Sequence, residues 1–333
     1  MKILFVSNYE PWKLVFKGLM PSNHLFGIKE ALTKMGGVNI KVDYLKIRKF
    51  SIKNIIAFYL LALKYDVVYD TINVVSKYMG LIPKILRPFK IVTIMHHPPF
   101  EKQLKYSNSD AYIFFSQELL DLGIQSCKKK AWKMYLNEWS PDFDYYRKEE
   151  FVDVEYDFID CGRTNRDHKT VVEALVMTQS KGLFFDKKRM QEQDDYILNE
   201  GINTFFYKDD FIPDSIYIKL IRKAKVMILA LPKTEKTLGP LGATVFIDAL
   251  GLEMPLICSN NAYCSKVIIE NGLGLVYRAG DIEEMAQCME KMKNESFYHQ
   301  CKINIKAYNL SHGRMKDYSK KVMSIINNVV NNK

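Results

Sequence analysis

The segment from Leu238 to Asn260 combines residue types that bind an anion, because a glycine-containing loop runs directly into helix-forming residues. Gly239 and Gly242 predict a tight turn, and the apolar face of residues 243–250 predicts a helix immediately after it. The first amides of such a helix lack intrahelical partners and lie at the positive end of its dipole, which favours a phosphate. Asp248 lies more than one turn inside the helix, where a carboxylate can accept hydrogen bonds from sugar hydroxyls. The alternative is an ordinary loop, helix, turn and strand of an α/β protein.

A second group of polar residues follows the first predicted strand. Residues 2–8 form a short apolar run that is typical of a central parallel strand, and a loop is predicted from Asn8 to Asn23. Ligands of α/β sheets bind at the carboxyl ends of the strands, so Asn8, Ser22, Asn23 and His24 are candidate acceptor-side or diphosphate contacts. The alternative is that Asn23 only caps a helix predicted over residues 24–32 and that His24 only packs.

His96 and His97 directly follow another predicted strand, at residues 90–95. The two prolines that come next cannot continue a strand, so both histidines are expected at its carboxyl end, facing a cleft. We do not predict zinc here, because adjacent histidines point in different directions and no further ligand cluster is evident.

Short apolar runs alternate with helix-forming segments along the whole chain, which indicates an α/β protein with doubly wound parallel sheets. A charged stretch at residues 147–157 separates two such series. The expected domains are residues 1–150 and 151–312, followed by a C-terminal helix within 313–333 that is able to cross back to the first domain.

In order and spacing, the segment that starts at Leu238 resembles the donor-site signature of GT-B glycosyltransferases of the retaining, glycogen-synthase-like and mannosyltransferase-like kind. Their pattern is roughly E-x-F-G-x-x-x-x-E-A-x-A-x-G-x-P. The matching positions are, in order, Gly242 or Ala243 for the loop glycine, Asp248 for the second glutamate, Ala249 and Pro255. The first glutamate is missing, and Leu238 or Gly239 stands near its place.

A further match lies near the start of the second expected domain. Family members use an arginine after a glycine, and a lysine six positions later, to hold the donor diphosphate. Gly162, Arg163 and Lys169 reproduce that spacing. A guanidinium fork and an ammonium charge would neutralise the departing diphosphate as the glycosidic bond breaks. The alternative is a solvated basic loop, for which Arg166 and His168 are the better candidates.

The resemblance also implies the remaining roles of the site. The backbone of the loop and helix start would bind the diphosphate, Asp248 would hold the ribose, and a histidine would lie beside the donor sugar. The implied diphosphate contacts are Gly239, Leu241, Gly242, Ala243 and Thr244; the histidine is His96 first and His97 second; the neighbours of the base are Tyr207 and Lys208.

Composition limits the partners. The 333 residues carry a formal charge of +10, which indicates an anionic partner such as nucleotide phosphate, acidic lipid or nucleic acid. Nucleic acid is the less favoured of these, since the basic residues are scattered and no nucleic-acid-binding module is recognisable. The six cysteines show no C-x-x-C pair and predict reduced, mostly buried thiols. No apolar run approaches the roughly 18 residues of a membrane span, so the expected location is the cytoplasm, with the inner face of the membrane as one place of action.

The resemblance therefore implies a GT-B fold of two Rossmann-like domains facing across a cleft. It also implies transfer of a sugar from a UDP- or GDP-linked donor, with retention and without metal or cofactor. The expected acceptor is a glycan or lipid-linked saccharide of cell-surface polysaccharide assembly. Two alternatives remain: a GT-B-type UDP-sugar epimerase, and a noncatalytic nucleotide-sugar-binding partner of another transferase, which the missing first glutamate favours.

Overall fold

The computed structural model describes residues 1–8, 10–32, 40–47, 52–73, 75–79, 82–95, 100–148, 152–162, 165–184, 214–234, 239 and 241–331. The chain divides into two compact units, residues 1–140 with 313–333, and residues 141–312. Five predicted site residues, His96, His97, Arg163, Tyr207 and Lys208, lie outside the described residues, and their roles stay predictions.

The first unit is built on a parallel sheet whose strands lie in the order β2-β1-β3-β4-β5-β6. The strands are β1 (Lys2–Ser7), β2 (Lys41–Lys46), β3 (Val67–Asp70), β4 (Lys90–Met95), β5 (Ala111–Phe114) and β6 (Met134–Leu136). The α-helices of this unit are α1 (Pro11–Phe16), α2 (Ile28–Leu32), α3 (Ile52–Ala62), α4 (Val75–Met79), α5 (Phe100–Tyr106), α6 (Gln117–Ser126) and α14 (Met315–Asn331). The described residues of this unit also include three 3-10 helices, at Ser22–Leu25, Lys84–Leu86 and Lys128–Lys133.

Alternate residues of β1 enter two different cores, as a strand covered on both faces requires. Ile3 and Phe5 pack into a cluster that includes residues of α5, α6 and α14, whereas Leu4 and Val6 pack against α3 and α4. All four side chains are at most 1% exposed. The first unit is therefore doubly wound.

The chain after β1 differs from the predicted loop and helix. Residues 11–16 form α1 within the predicted loop, and the predicted helix over 24–32 is interrupted between the 3-10 helix and α2. Phe26 and Gly27 have left-handed φ angles of 46° and 83°. A Cβ on Gly27 would lie 2.9 Å from Cα of Ser319 on α14, so this close approach requires glycine. Ser319 Oγ donates a hydrogen bond of 2.6 Å to the Gly27 carbonyl.

The second unit holds a five-stranded parallel sheet in the order β11-β10-β9-β7-β8. Its strands are β7 (Tyr156–Asp160), β8 (Gly182–Phe184), β9 (Ala224–Leu229), β10 (Leu256–Ser259) and β11 (Gly274–Tyr277). Its helices are α7 (Phe143–Tyr146), α8 (His168–Met177), α9 (Asp214–Ile221), α10 (Ala243–Leu252), α11 (Ser265–Asn271), α12 (Ile282–Lys293) and α13 (Glu295–Ser311).

The division between the units falls after residue 140, ten residues before the expected boundary at 150. The reason is α7, since its last residue, Tyr146, is fully buried in the core that contains α10. No helix among the described residues is long and apolar enough to cross a membrane.

Candidate functional site

The loop before α10 has the backbone conformation that its glycines predict. Gly239 and Gly242 have φ angles of 61° and 84°, and Gly242 is the residue that caps α10. A Cβ on Gly242 would lie 2.4 Å from a methyl group of Leu229, the last residue of β9. Glycine is therefore needed both for the turn and for the close packing of the helix start on the sheet.

The start of α10 differs from those of the other long helices in this unit. Asp167, Asp281 and Asn294 cap α8, α12 and α13 and accept hydrogen bonds from backbone amides. At α10 no side chain of the described residues does so, and no acidic residue lies in its first turn. Its leading amides are thus available to an anion from solution. Gly242 and Ala243 are partly exposed there, and Thr244 is exposed.

Asp248 lies on the inner face of α10 and is 2% exposed. The hydroxyl of Tyr146 donates a hydrogen bond of 2.5 Å to its Oδ1 atom. Tyr146 is held in turn through its backbone, because Arg222 Nη2 donates to the Tyr146 carbonyl at 2.5 Å. A carboxylate fixed in this way keeps a defined direction for a further donor.

A buried pair stands at the carboxyl end of β7. Asp160 Oδ2 lies 2.7 Å from Nδ1 of His168, and both side chains are at most 1% exposed. The pair joins the end of the strand to the first residue of α8. Lys169, the next residue, is exposed. The geometry therefore anchors the helix start from which Lys169 extends.

The solvated basic loop is contradicted for the two residues proposed to form it. Arg166 is 8% exposed and His168 is 1% exposed. A Cβ on Gly162 would lie 2.0 Å from Nε of Arg166, so the guanidinium crosses directly over the glycine. Glycine is thus needed at position 162 because it makes room for a buried arginine. The spacing of the motif alone does not reveal this requirement.

Cys161 directly follows β7 and is buried. Burial raises the pKa of the Cys161 thiol, and the nearby negative charges of Asp248 and Asp160 raise it further. A hydrogen bond from Tyr217 and the positive charge of Arg166 act in the opposite direction. The charges of Asp248 and Asp160 therefore both act on one buried thiol of this unit.

Hydrogen bonds also tie together the loops that follow neighbouring strands. The Asp167 amide donates to the Ala230 carbonyl at 3.1 Å, which joins the loop after β7 to the chain after β9. The Leu231 amide donates to Ser259 Oγ, also at 3.1 Å, which extends the connection to β10. Because β7 pairs with β9 in parallel, Lys169 and the loop before α10 follow adjacent strands at the same edge of the sheet.

The predicted acceptor-side residues lie in the first unit, after β1. Asn8 is exposed, His24 is partly buried, and Asn23 is 0% exposed. Neither side-chain atom of Asn23 that can form hydrogen bonds does so with the residues that the structure describes. Asn23 is not a helix cap either, because the 3-10 helix begins after Pro21 and lacks a side-chain cap in the described part. A buried amide without such partners is costly, which marks Asn23 as a candidate contact for a ligand.

Aromatic rings surround this position. The Trp139 indole donates a hydrogen bond of 3.0 Å to the Asn23 carbonyl and stacks on Phe26 and Phe115, with ring centroids 5.5 and 5.3 Å away. The His24 ring meets the edge of Trp139 at 6.1 Å. Burial lowers the pKa of His24 to about 4, so the imidazole is neutral near pH 7.

Sequence reasoning missed the buried residues that hold the candidate site residues in place. Tyr146, the partner of Asp248, lies directly before the charged stretch at residues 147–157, within the expected first domain, and 102 positions separate the two residues. The Asp160–His168 pair had one sequence signal, a carboxylate at the end of a predicted strand.

The similarity of this chain to known proteins lies in its three-dimensional structure. No protein-family model matches the chain, and no curated protein matches it. A glycosyltransferase from Rickettsia africae is similar over 100% of this chain and 99% of its own, with 15% identity and a TM-score of 0.70. HepE (Alr3699) of Anabaena, in a structure with UDP and glucose, is similar over 98% of this chain and 100% of its own, with 13% identity and a TM-score of 0.71. Sucrose-phosphate synthase from Thermosynechococcus elongatus is similar over 99% of each chain, with 12% identity and a TM-score of 0.70.

The chain therefore has the GT-B fold of glycosyltransferases, and the fold class expected from the sequence is confirmed. The similarity extends over both parallel sheets.

Proposed function

We propose that this chain is a glycosyltransferase that moves a sugar from a nucleotide-sugar donor to an acceptor. The observation that carries the proposal is the glycine-bordered start of α10, where leading amides are available for an anion in a chain with the GT-B fold. The UDP and glucose bound to HepE of Anabaena support a nucleotide-sugar as the donor.

In this proposal each part of the site has a defined task. The amides from Gly239 to Thr244, together with Arg163 and Lys169, stabilise the charge that grows on the departing diphosphate. Asp248, oriented by Tyr146, holds the ribose. His96, or else His97, lies beside the donor sugar, and Tyr207 and Lys208 lie near the base.

The finer reaction is proposed as transfer with retention and without a metal ion. The acceptor is a glycan or lipid-linked saccharide of cell-surface polysaccharide assembly, bound by Asn8, Asn23 and His24 while the protein is attached peripherally to the membrane. The net charge of +10 and the buried amide of Asn23 support an acceptor that presents anionic and hydroxyl groups.

A shift in the thermal unfolding midpoint with UDP, GDP, ADP and their sugars tests the donor, because a ligand of the native state stabilises it by mass action. Lys169→Ala is expected to weaken nucleotide binding about ten-fold, the usual effect of losing a charge-assisted hydrogen bond. Lys266→Ala is the matched control, since Lys266 is an exposed lysine of the same unit on α11. No shift with any nucleotide would contradict the proposal.

Product analysis separates the proposal from its two alternatives. Transfer to an added acceptor, with the anomeric configuration read by NMR and activity kept in EDTA, supports the full reaction. Epimerised sugar formed without acceptor would indicate the epimerase. Binding without turnover would indicate the noncatalytic partner, which the missing first glutamate near Leu238 favours.

A further inference from the structure

Five large apolar side chains of the first unit are strongly exposed in the segments that lead into β3, β4, β5 and β6. The exposed fractions are 41% for Leu63, 92% for Ile85, 58% for Leu86, 56% for Tyr106 and 74% for Trp132. Because the strands are parallel, the segments that enter them lie at one edge of the sheet, the edge opposite the carboxyl ends. We refer to these five residues as the amino-edge surface.

Hydrogen bonds join the neighbouring segments that carry these five residues. The Tyr59 hydroxyl donates to the Leu86 carbonyl and so joins α3, which precedes Leu63, to the segment before β4. Arg87 Nη2 donates to the Asn108 carbonyl at 3.0 Å and joins that segment to the one before β5. Lys130 Nζ donates to the Ser107 carbonyl and joins the segment before β5 to the one that carries Trp132.

The segments that carry the amino-edge surface also carry exposed basic residues. Lys64, Lys105, Lys128 and Lys129 are exposed in the same segments. Of the acidic residues at this edge, Asp110 is buried against Arg87, whereas Asp66 is exposed and accepts a hydrogen bond from the Lys2 amide.

This combination matches the chemistry of an anionic bilayer surface. Tryptophan and tyrosine prefer the headgroup region, exposed aliphatic side chains gain free energy by entering the acyl boundary, and each lysine is attracted by acidic headgroups. We propose that the amino-edge surface docks the protein on an anionic phospholipid membrane. The proposal does not depend on the transfer reaction.

Docking by this edge leaves the carboxyl ends of the first unit's strands, where the predicted acceptor contacts lie, in water. A six-residue strand such as β1 separates the two edges of the sheet by about 20 Å. The membrane contact and the predicted acceptor contacts, Asn23 and His24, therefore do not compete for one surface.

Flotation of the full chain with vesicles tests the proposal. We expect the protein to float with phosphatidylcholine vesicles that contain about 30% phosphatidylglycerol, but not with phosphatidylcholine alone. Ile85→Ser/Trp132→Ser should lower the partition coefficient at least ten-fold, and Lys128→Glu/Lys129→Glu should lower it by a similar factor. The matched control is Ile303→Ser/Leu310→Ser, two residues of the second unit that are 59% and 79% exposed.

A second measurement keeps the test decisive if a double variant folds poorly. Trp132 is the most exposed of the tryptophans, so its emission should shift to the blue and be quenched by brominated anionic lipid, and Trp132→Phe should remove that response. Wild-type protein that stays in the soluble fraction would overturn the proposal. The proposal would also be overturned if the control variant lost flotation equally. It would be overturned as well if the protein formed a dimer in solution that Trp132→Ser dissociates while flotation persists.

Discussion

The hydroxyl of Tyr146 lies 2.5 Å from Oδ1 of Asp248, which joins the short helix at the start of the second unit to the inner face of α10. Tyr146→Phe removes this donor and leaves the buried carboxylate less well satisfied. We expect the free energy of unfolding to fall by about 1–2 kcal/mol and UDP affinity to fall several-fold. Asp248→Asn should weaken nucleotide binding more strongly, because it removes the charge that accepts the ribose hydroxyls.

Tyr65→Phe is the matched control for Tyr146→Phe, because the Tyr65 hydroxyl donates to Asp43 Oδ2 at 2.8 Å in the first unit. It should alter stability only slightly and leave UDP affinity unchanged. Calorimetric titration with UDP measures the affinities, and denaturant unfolding measures the stabilities. Unchanged UDP affinity in both Tyr146→Phe and Asp248→Asn would contradict the ribose-binding role.

Gly242→Ala should damage the loop before α10 in two ways. Its φ of 84° is strained for alanine, and the new Cβ would lie 2.4 Å from Leu229. We expect a loss of about 2–3 kcal/mol in unfolding free energy together with a loss of nucleotide binding. Gly18→Ala shares the strain, with a φ of 70°, but its Cβ would meet nothing within 4 Å. Gly18→Ala should lower the free energy of unfolding by only about 1 kcal/mol and keep the thermal shift with UDP. Equal effects of the two variants would contradict the nucleotide-binding role of the loop before α10.

Asn23→Ala separates a functional amide from a structural one. The Asn23 side chain forms no hydrogen bond with the described residues, so its removal should leave the unfolding midpoint unchanged or raise it. Transfer to acceptor should fall at least ten-fold, because the ligand loses a buried amide partner. Asn137 is also buried but donates to the Tyr318 carbonyl at 3.1 Å, so Asn137→Ala should destabilise by about 1–2 kcal/mol and spare the KM for acceptor. A large destabilisation by Asn23→Ala would assign Asn23 a packing role instead.

His24 should make the protein less stable in mild acid. Its pKa falls from 6.5 to about 4 in the folded protein, so between these values the unfolded chain takes up a proton that the folded chain does not. Stability is therefore unaffected by this residue above pH 6.5 and decreases as the pH falls toward 4. Because the His24 ring is partly exposed, we expect its titration to lower the free energy of unfolding by about 1–2 kcal/mol.

The comparison that isolates His24 is denaturant unfolding of wild type and His24→Gln across this range. The variant should lose less stability on acidification than the wild type. Parallel curves for the two proteins would show that other groups cause the acid sensitivity.

The local parts of the fold could be predicted from the sequence because their signals are local. The positive φ of Gly242 and the alternation of strands and helices both follow from short stretches. Contacts between distant segments could not be predicted. The break at Phe26 lies beside the close approach of Gly27 to α14, and the burial of Arg166 depends on the space above Gly162.

The packing of Ser319 against Gly27 orders events during protein synthesis. The core of the first unit contains residues of α14, so residues 1–140 lack part of their core until residues 313–333 have been made. The second unit, residues 141–312, is continuous and has its own core before α14 leaves the ribosome. The second unit is thus expected to complete its fold before the first, and chaperones would meet the first sheet with one face only partly covered.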